Sequence, residues 1–457
     1  MKLVLLSGGS GKRLWPLSNV SRSKQFLKVL TNANEQDQRE SMVQRLWRQL
    51  AACQLLDDVY ISTNIKQVDI IQNQLGSDVS LLIEPEKRDT FPAIVLAASY
   101  LHSQVGIDSD EVIIVMPVDL YVDIDFFRIV RELENVIHHS GKNIALIGVS
   151  PTYASTNYGY IIPKQDEDKQ DARTYHLVEK FVEKPTEMVA QQLLEQKALW
   201  NCGIFAFSLG YLLKQMEKRG FPTKYDELIA MYDKLPVISF DYEIVEKEDQ
   251  TVVLPFDGEW KDIGTWNTLT ETMQNSLVGK CYRSLDCTNT HIINELDIPV
   301  VVVGISNTVV AASSEGILIS DKSTSHHIKE IMKDDQQRPM FEEKRWGWYR
   351  VLEYKVQSAG REVLTKRLCI YAGKNVSYQY HHNRREVWVI VAGEGEFILD
   401  GVLSIIKAGD VIDIPVGAKH GIKAIQDLEM IEVQLGSKLE EEDIVRLSFD
   451  WEEIKKT

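Results

Sequence analysis

The stretch "KLVLLSGGSGKRLWPLS" (residues 2–18) joins an apolar run directly to a turn that contains three glycines and two cations. The apolar run predicts a buried β-strand at the start of the chain. Glycines after a strand let the backbone bend and bring its N–H groups close to an anion. Arg13 and, a short loop later, Lys24 add positive charge. The stretch therefore predicts a phosphate-binding loop at the end of a first strand.

This glycine turn differs from two common phosphate-binding motifs. Leu6 stands where the Walker A motif requires its first glycine, and Arg13 stands where it requires Ser or Thr. Leu14 replaces the last glycine of the dinucleotide motif GxGxxG. The remaining pattern, GGxGxRL, leaves two interpretations open: a phosphate site, or a plain glycine turn with two solvated cations.

Strand and helix patterns alternate through the first 150 residues, which predicts a doubly wound, Rossmann-like α/β sheet. Ligands of such sheets collect outside the carboxyl ends of the strands. That rule selects the loop 8–13 and Asp119, which ends the run "VIIVMPVD". Apolar runs predict strands at 2–7, 58–63, 111–119 and 143–150, and helical spacing predicts helices at 40–53, 92–104 and 125–139.

The rest of the chain has a β-rich pattern. Short apolar runs separated by Asn, Asp and Gly predict a small β-helix-like spacer, which ends in the polar linker "DDQQRP" (334–339). Beyond it, alternating runs with glycine turns about every 8–12 residues predict an all-β barrel. The last residues, 438–456, predict a charged helix. The predicted domains are 1–274, 275–335 and 336–457.

Composition excludes several classes of protein. The 457 residues carry 51 Lys and Arg against 67 Asp and Glu, a net charge of −16, which disfavours binding to nucleic acid or anionic membranes. The sequence has no apolar run of the roughly 18–20 residues that cross a bilayer. The first apolar run ends in glycines rather than a cleavage site, so a cytoplasmic protein is expected. Five cysteines without a CxxC pair predict reduced thiols.

Taken with its continuation "SKQF", the glycine turn resembles the signature of sugar-phosphate nucleotidyltransferases, specifically the GDP-mannose pyrophosphorylases. "KRWGWYRV" (344–351) and a His-rich barrel resemble the long bacterial type, which is fused to a phosphomannose isomerase-like cupin domain. The resemblance covers essentially the whole chain. Its other motifs follow in family order: "EPEKRDTFPAI" (84–94), "PVD" (117–119), "NYGYI" (157–161), "FVEKP" (181–185), "WNCGIFAF" (200–207), "SFDYEIVEK" (239–247) and "WKDIGTW" (260–266).

The resemblance implies transfer of GMP from GTP to mannose 1-phosphate, which gives GDP-mannose and pyrophosphate. The sugar phosphate would attack the α-phosphorus in line, with Mg²⁺ offsetting the charge of four phosphates. Asp119 and Asp262 would bind the Mg²⁺, Arg13 would hold the departing phosphates, and Lys24 would lie against the α-phosphate and the sugar phosphate. The implied nucleotide-binding residues are Gly8, Gly9, Gly11, Glu84 and Arg88, and the implied sugar-binding residues are Gly159, Glu183, Lys184 and Asn201.

Four positions in the transferase half depart from the family pattern without removing a charged group, and they leave the identity of base and sugar open. These positions are Ser23 for proline, Asp89 for asparagine, Leu120 where histidine is common, and Cys202 for serine.

In the barrel, "YQYHHNRREVW" places Gln379 and His381 on one side of a strand, because strand side chains alternate. With Glu386 and His420 they form a donor set typical of metal-binding cupins, for which Zn²⁺ is the first candidate metal. The resemblance implies a second activity, the interconversion of mannose 6-phosphate and fructose 6-phosphate. Candidate phosphate-binding cations are Lys366, Arg367 and either Arg384 or Arg385.

A barrel without metal that serves as a rigid core remains the alternative. Asn383 and Val387 replace two histidines of the family pattern, and Gly421 follows His420 where a basic residue is common.

Two further functions stay open for the whole chain. One is transfer to another sugar 1-phosphate or from another nucleoside triphosphate. The other is a non-catalytic sensor of nucleotide sugars with a structural cupin, although a binder does not need the full cation-and-carboxylate set. A homo-oligomer is expected.

Overall fold

The computed structural model of the protein describes residues 1–9, 12–32, 35, 38–164, 174–334, 337–357 and 360–456. Within these ranges, no helix is both long and apolar enough to cross a membrane. The strands that precede the β-rich region are β1 Lys2–Leu6, β2 Leu30–Thr31, β3 Arg39–Glu40, β4 Val59–Asn64, β5 Ser80–Glu84, β6 Val112–Pro117, β7 Leu120–Val122, β8 Ile144–Val149, β9 Tyr160–Pro163, β10 His176–Val182, β11 Leu199–Ser208, β12 Thr251–Phe256 and β13 Trp260–Asp262.

Nine of these strands form one central sheet in the order β5-β4-β1-β6-β11-β8-β12-β10-β9. The predicted strands are confirmed, and β1 pairs in parallel with β4 and β6. The sheet is nevertheless mixed, because the long strand β11 lies between β6 and β8 and is antiparallel to both. Leu3 and Leu5 on β1 pack into one apolar cluster and Val4 packs into another. Burial on both faces explains the continuous apolar run.

Helices cover both faces of the sheet, and the three predicted ones are confirmed. The amphipathic α1 begins after Ser41, whose hydroxyl accepts from the backbone N–H of Gln44 in a capping box. The helices of this part are α1 Met42–Ala52, α2 Val68–Leu75, α3 Thr90–Tyr100, α4 Phe126–Ser140, α5 Glu187–Glu195, α6 Leu209–Lys218, α7 Tyr225–Ile229, α8 Phe240–Glu243 and α9 Trp266–Thr272.

The spacer consists of short strands stacked in register, as the β-helix-like prediction requires. In one sheet β14, β16 and β18 are parallel neighbours, with Leu277 opposite Ile292. In another, β15 pairs in parallel with β17. The elements are β14 Leu277–Val278, β15 Cys281–Arg283, β16 His291–Asn294, β17 Val300–Val302, β18 Thr308–Ser313, β19 Gly316–Asp321 and α10 Ile328–Ile331. Residues 335 and 336 of the predicted linker lie outside the described residues.

The C-terminal barrel is formed by two facing antiparallel sheets, in the orders β20-β21-β22-β29-β24-β27 and β26-β25-β28-β23-β30. The sheets enclose an apolar core that includes Ile370, Trp388 and Ile422. The elements are β20 Phe341–Lys344, β21 Gly347–Val356, β22 Glu362–Ile370, β23 Tyr378–His381, β24 Arg384–Ala392, β25 Glu394–Leu399, β26 Val402–Lys407, β27 Val411–Ile414, β28 His420–Ala424, β29 Leu428–Gly436, β30 Ile444–Ser448 and α11 Trp451–Ile454.

The prediction of a charged terminal helix over 438–456 is wrong. Residues Ile444–Ser448 form a strand that pairs with β23, and helical structure is confined to a 3₁₀ turn, Glu441–Asp443, and to Trp451–Ile454. Without β30, strand β23 would be the edge of its sheet and would leave backbone N–H and C=O groups unpaired. The β-branched Ile444 and Val445 suit the extended conformation. Pairing with that edge outweighs the helix propensity of the glutamates.

Candidate active site

The glycine turn follows β1 and is held in place by the hydrogen bonds of three polar side chains. The Ser23 hydroxyl donates to the Gly9 carbonyl at 2.9 Å and accepts from the Gln67 amide at 2.7 Å. The Gln25 amide donates to the Ser7 carbonyl at 3.2 Å. A Cβ added at Gly8 would lie 3.8 Å from Glu84 Oε1, so the turn borders that carboxyl group. Gly11 lies outside the described residues.

A two-stranded ribbon, β7 with β13, brings the two predicted magnesium ligands together. Its register pairs Asp262 with Leu120, the residue after Asp119. Lys24 Nζ lies 2.9 Å from Asp119 Oδ2 and 3.1 Å from Asp262 Oδ1. The three predicted groups therefore meet at one point, although the two carboxylates lie 143 positions apart in the sequence.

Charge balance at this point depends on the ammonium of Lys24. Burial lowers the pKa of Lys24, but the nearby Asp119 and Asp262 carboxylates outweigh burial and raise the pKa above its usual value. Two carboxylates therefore already share one cation here. Arg13 borders the same place, because a Cβ added at Gly264 would lie 3.5 Å from Arg13 Nη1 and 3.4 Å from Asp262 Oδ2.

The predicted sugar-binding residues form a second cluster. The backbone N–H of Asn201 donates to the Gly159 carbonyl at 2.8 Å. A Cβ added at Gly159 would lie only 2.4 Å from Glu183 Oε2, so only glycine leaves room for this carboxylate. Lys184, at φ +44°, places its Nζ 2.7 Å from Glu183 Oε1. Glu183 Oε2 is buried and has no hydrogen-bond partner.

Asp241 belongs to this sugar cluster and was missed by sequence analysis. Its Oδ1 accepts from the Asn201 amide at 2.7 Å. Burial, assisted by the neighbouring Glu183 carboxylate, raises the pKa of Asp241 to about 7. The motif "SFDYEIVEK" contains this aspartate, and its acidic side chain was the available signal.

An aromatic cluster connects the carboxylate pair with the sugar cluster. The ring of Tyr158 lies 4.9 Å from that of Trp200 and 5.6 Å from that of Trp260. Trp200 precedes Asn201, and Trp260 lies two residues before Asp262 on β13. Burial and then the Asp262 carboxylate raise the pKa of Tyr158, so its hydroxyl stays protonated and can donate a hydrogen bond.

The two predicted base-binding residues have different environments. Glu84, at the end of β5, is buried and accepts from the Ser62 hydroxyl at 3.0 Å. Burial raises the pKa of Glu84. Arg88 instead donates to the Leu235 carbonyl and to Glu86, both at 2.6 Å. Glu84 therefore borders the glycine turn, whereas Arg88 is held by a neighbouring loop.

Three of the four predicted barrel ligands meet inside the barrel. The nearest nitrogen or oxygen donor atoms of His381, Glu386 and His420 all lie within 4.8 Å of one another, and all three residues are buried. Glu386 Oε1 lies 3.3 Å from His381 Nε2, and Glu386 Oε2 lies 3.5 Å from His420 Nε2. Gln379 pairs with His420 across two strands, and its Oε1 accepts from the Ser377 hydroxyl at 2.8 Å.

A guanidinium also contacts this set. Arg384 Nε lies 3.1 Å from Glu386 Oε1. Burial, followed by the positive charge of Arg384, lowers the pKa of His381 to about 2, and burial lowers the pKa of His420. Both imidazoles are therefore neutral, which is the form that binds metal.

Two family models match this chain. Residues 2–278 match the family model described as "Nucleotidyl transferase", and residues 333–449 match "Mannose-6-phosphate isomerase C-terminal". The chain belongs to the nucleotidyltransferase family. It is a nucleotidyltransferase whose C-terminal barrel is of the mannose-6-phosphate isomerase type.

The similar proteins span nearly the whole chain. Xanthan biosynthesis protein XanB of Xanthomonas campestris pv. campestris (strain B100) is 30% identical over 97% of each chain. Mannose-1-phosphate guanylyltransferase of Escherichia coli (strain K12) is 29% identical, again over 97% of each. A crystal structure from Thermus thermophilus, described as mannose-1-phosphate geranyltransferase, is 26% identical. It covers 73% of this chain and 98% of its own, with a TM-score of 0.60.

Proposed function

We propose that this nucleotidyltransferase transfers GMP from GTP to mannose 1-phosphate and releases pyrophosphate. The observation that carries the proposal is the convergence of Lys24, Asp119 and Asp262 at one point beside the glycine turn. The name mannose-1-phosphate guanylyltransferase, given to similar proteins over 97% of this chain, supports the choice of substrates.

The two carboxylates suit a divalent cation. They already share the Lys24 ammonium at about 3 Å, and carboxylate oxygens are the donors that Mg²⁺ prefers. Asp119 and Asp262 would hold Mg²⁺, which would offset the negative charge of the phosphates when bound. Lys24, released from its ion pairs, would then contact the α-phosphate and the sugar phosphate. Arg13 would stabilise the departing pyrophosphate through its planar guanidinium.

The sugar cluster supports a hydroxyl-rich acceptor. Glu183 Oε2 is a buried acceptor without a donor, and a sugar hydroxyl would satisfy it. Lys184, Asn201 and the glycine at 159 would complete the contacts. On the nucleotide side, Gly8, Gly9 and Gly11 would approach the phosphates. Glu84 would accept two hydrogen bonds from the edge of guanine. Arg88 would lie beside the base, in the loop that follows β5.

One assay tests the reaction. The full-length protein is incubated with MgCl₂, each nucleoside triphosphate in turn and a panel of sugar 1-phosphates, and pyrophosphate release is followed. We expect turnover with GTP and mannose 1-phosphate. Turnover confined to another pair would replace these substrates, and no turnover with any pair would favour the nucleotide-sugar sensor.

A matched pair of variants tests the carboxylates. Asp119→Asn removes one charge at the convergence point and should lower kcat by at least about a hundredfold, as loss of a preorganised charged group does. Asp123→Asn changes an exposed aspartate in the same segment and should leave kcat unchanged. Equal activity of the two variants would contradict the assignment of Asp119.

For the barrel, we propose a bound divalent metal, with Zn²⁺ the first candidate, and interconversion of mannose 6-phosphate and fructose 6-phosphate. Two neutral imidazoles and a carboxylate form a suitable donor set, and His420 Nε2 is buried without a hydrogen-bond partner. Gln379 would be a fourth ligand. The metal would polarise the sugar carbonyl when bound, and Lys366 and Arg384 would attract the sugar phosphate.

The barrel proposal is tested by metal analysis of the full-length protein after incubation with ZnCl₂ and dialysis. His381→Ala should lose one equivalent of zinc and any isomerase activity. His382→Ala, which changes an exposed neighbour, should keep both. Zinc content that is the same in the two variants would favour a structural barrel.

Three broader assignments accompany the function. We propose a cytoplasmic protein that does not bind nucleic acid, because its substrates are soluble metabolites and its net charge is −16. We propose a homo-oligomer, to be tested by light scattering. The domain boundaries proposed for expression of fragments remain 1–274, 275–335 and 336–457.

A further inference from the structure

A short turn, Asn19–Arg22, leads through Ser23 into a 3₁₀ turn, Lys24–Phe26, that begins with Lys24. The turn is closed by its own hydrogen bonds: the Asn19 side chain accepts from the backbone N–H of Arg22 at 2.7 Å. The backbone N–H of Asn19 donates to the Arg22 carbonyl at 3.0 Å. Arg22 and Asn19 therefore move together, and Lys24 is only two residues away.

The spacer holds this turn through two carboxylates. Arg22 forms a two-pronged ion pair with Glu295, with both nitrogen–oxygen distances at 2.9 Å. The Asn19 amide donates to Glu315 Oε1 at 2.8 Å. Arg22 is almost fully buried, at 6% exposed, and a buried guanidinium requires such pairing.

The C-terminal barrel holds the same turn. Arg22 Nε lies 3.8 Å from Glu343 Oε1 on β20, and the Arg22 guanidinium lies 5.1 Å from the ring centre of Phe341. The Asn19 amide donates to the Phe341 carbonyl at 3.1 Å. Glu343 also accepts from Lys28 at 2.8 Å. One buried carboxylate of the barrel thus contacts cations on both sides of Lys24.

The position of Lys24 depends on this support. Ser23, which connects Arg22 to Lys24, holds the glycine turn through the Gly9 carbonyl. A displacement of the Asn19–Arg22 turn would therefore shift Lys24 away from Asp119 and Asp262. It would also loosen the glycine turn. Reactions that depend on oriented groups lose rate steeply when those groups move by about 1 Å.

We propose that Arg22 is a positioning residue for Lys24, and that the spacer and the barrel take part in nucleotidyl transfer by holding it through Glu295 and Glu343. The C-terminal barrel is then a required support of the transferase site, whatever chemistry it performs itself. This role goes beyond the proposed reaction, because it does not depend on which nucleotide or sugar is used.

The test uses three full-length variants. Arg22→Lys keeps the charge but loses the two-pronged geometry, and Glu343→Gln keeps the shape but loses the charge. Asp69→Asn is the matched control, because it also removes one carboxylate charge and Asp69 joins the transferase part to Lys344 of the barrel, at 3.7 Å, without contacting the turn. Circular dichroism and thermal unfolding establish that each variant is folded, and Glu343→Gln decides the question if Arg22→Lys does not fold.

The first readout is the rate at which Lys24 is acetylated by an N-hydroxysuccinimide ester, measured by mass spectrometry. We expect an increase of about threefold or more in Arg22→Lys and Glu343→Gln, since a displaced lysine loses its two carboxylates. Asp69→Asn should match the wild type. This readout is independent of the reaction, so it decides the proposal even if the proposed substrates are wrong.

The second readout is steady-state kinetics with whichever substrate pair the wild type uses. We expect kcat to fall about tenfold to a hundredfold in the two test variants, with a smaller change in KM. An unchanged acetylation rate overturns the proposal, as does an unchanged kcat in an active protein. Equal effects in Asp69→Asn also overturn it, because they would indicate a general loss of domain packing.

Discussion

Glu183 illustrates how a single side chain can indicate a binding site. Its Oε1 is paired with Lys184 at 2.7 Å, while its Oε2 is buried without any hydrogen-bond partner. An unsatisfied buried acceptor costs about 1–3 kcal/mol. A hydroxyl donor from a ligand would remove that cost.

The glycine at 159 should be required for sugar binding. Gly159→Ala would place a Cβ 2.4 Å from Glu183 Oε2, so the carboxylate must move. We expect the KM for the sugar 1-phosphate to rise by about tenfold, the effect of roughly 1.4 kcal/mol. The KM for the nucleotide, measured in the same assay, serves as the control and should stay within about twofold.

Asp241 should make stability depend on pH. Its pKa is about 7 in the folded protein, against about 3.9 in an unfolded chain, so the folded state retains a proton that the unfolded state releases. The free energy of unfolding should therefore fall between about pH 4 and pH 7, by up to about 4 kcal/mol, and level off above that range.

The measurement is urea unfolding of wild type and Asp241→Asn across this pH range. The variant should lose most of the slope, because asparagine does not titrate. Asp233→Asn, at an exposed aspartate, should keep it. A slope unaffected by Asp241→Asn would mean that another group titrates.

At the scale of elements, the site is built from the edge of the large sheet together with the small β7–β13 ribbon. The sheet edge supplies the glycine turn, as the rule for α/β proteins predicts. The ribbon supplies the second carboxylate, since its register sets Asp262 opposite Leu120. Two strands of three residues thus bring the predicted ligands together.

Helix α1 depends on its capping box for stability. Ser41→Ala removes the acceptor for the Gln44 backbone N–H at a fully buried position. We expect a loss of about 1–2 kcal/mol in the free energy of unfolding, measured by denaturant unfolding. Thr186→Ala is the matched control, because Thr186 begins α5 without a side-chain hydrogen bond. A larger effect of Thr186→Ala would contradict this account.

At the scale of the whole molecule, the barrel packs directly on the transferase part. Besides the Asn19–Arg22 turn, the contact includes α2 and β20. The Asn73 amide donates to the Lys344 and Gly347 carbonyls at 2.7 and 3.0 Å. A single side chain of the transferase part therefore donates to two backbone carbonyls of the barrel.

Removal of this bridge should loosen the barrel. Asn73→Ala leaves two carbonyls without their donor, at a cost of about 1–3 kcal/mol. Hydrogen exchange in residues 341–349 should become faster and the thermal midpoint should fall. Asn135→Ala, whose amide contacts only Glu132 among the described residues, should change neither. Unchanged exchange in Asn73→Ala would show that other contacts hold the barrel.

Local patterns were sufficient to predict four strands and three helices of the first 150 residues and the β-rich character of the rest of the chain. Period and composition specify these features within a few neighbouring residues. The glycine turn, for example, follows from an apolar run that ends in glycines. The prediction of a terminal helix was wrong because residues 444–448 pair with β23, a strand that lies far away in the sequence.

Tertiary structure decided which candidate residues lie close to one another. Family resemblance nominated Asp119 and Asp262, but only the β7–β13 register brings them to Lys24. Asp241 and Tyr158 joined the site through packing, which no local pattern encodes. The sequence alone determined which chemical groups the chain carries and which segments fold locally. The distances between those groups depend on long-range pairing and burial, because the contacts join residues as far apart in the sequence as 40 positions for Asn201 and Asp241 and 238 positions for Lys24 and Asp262.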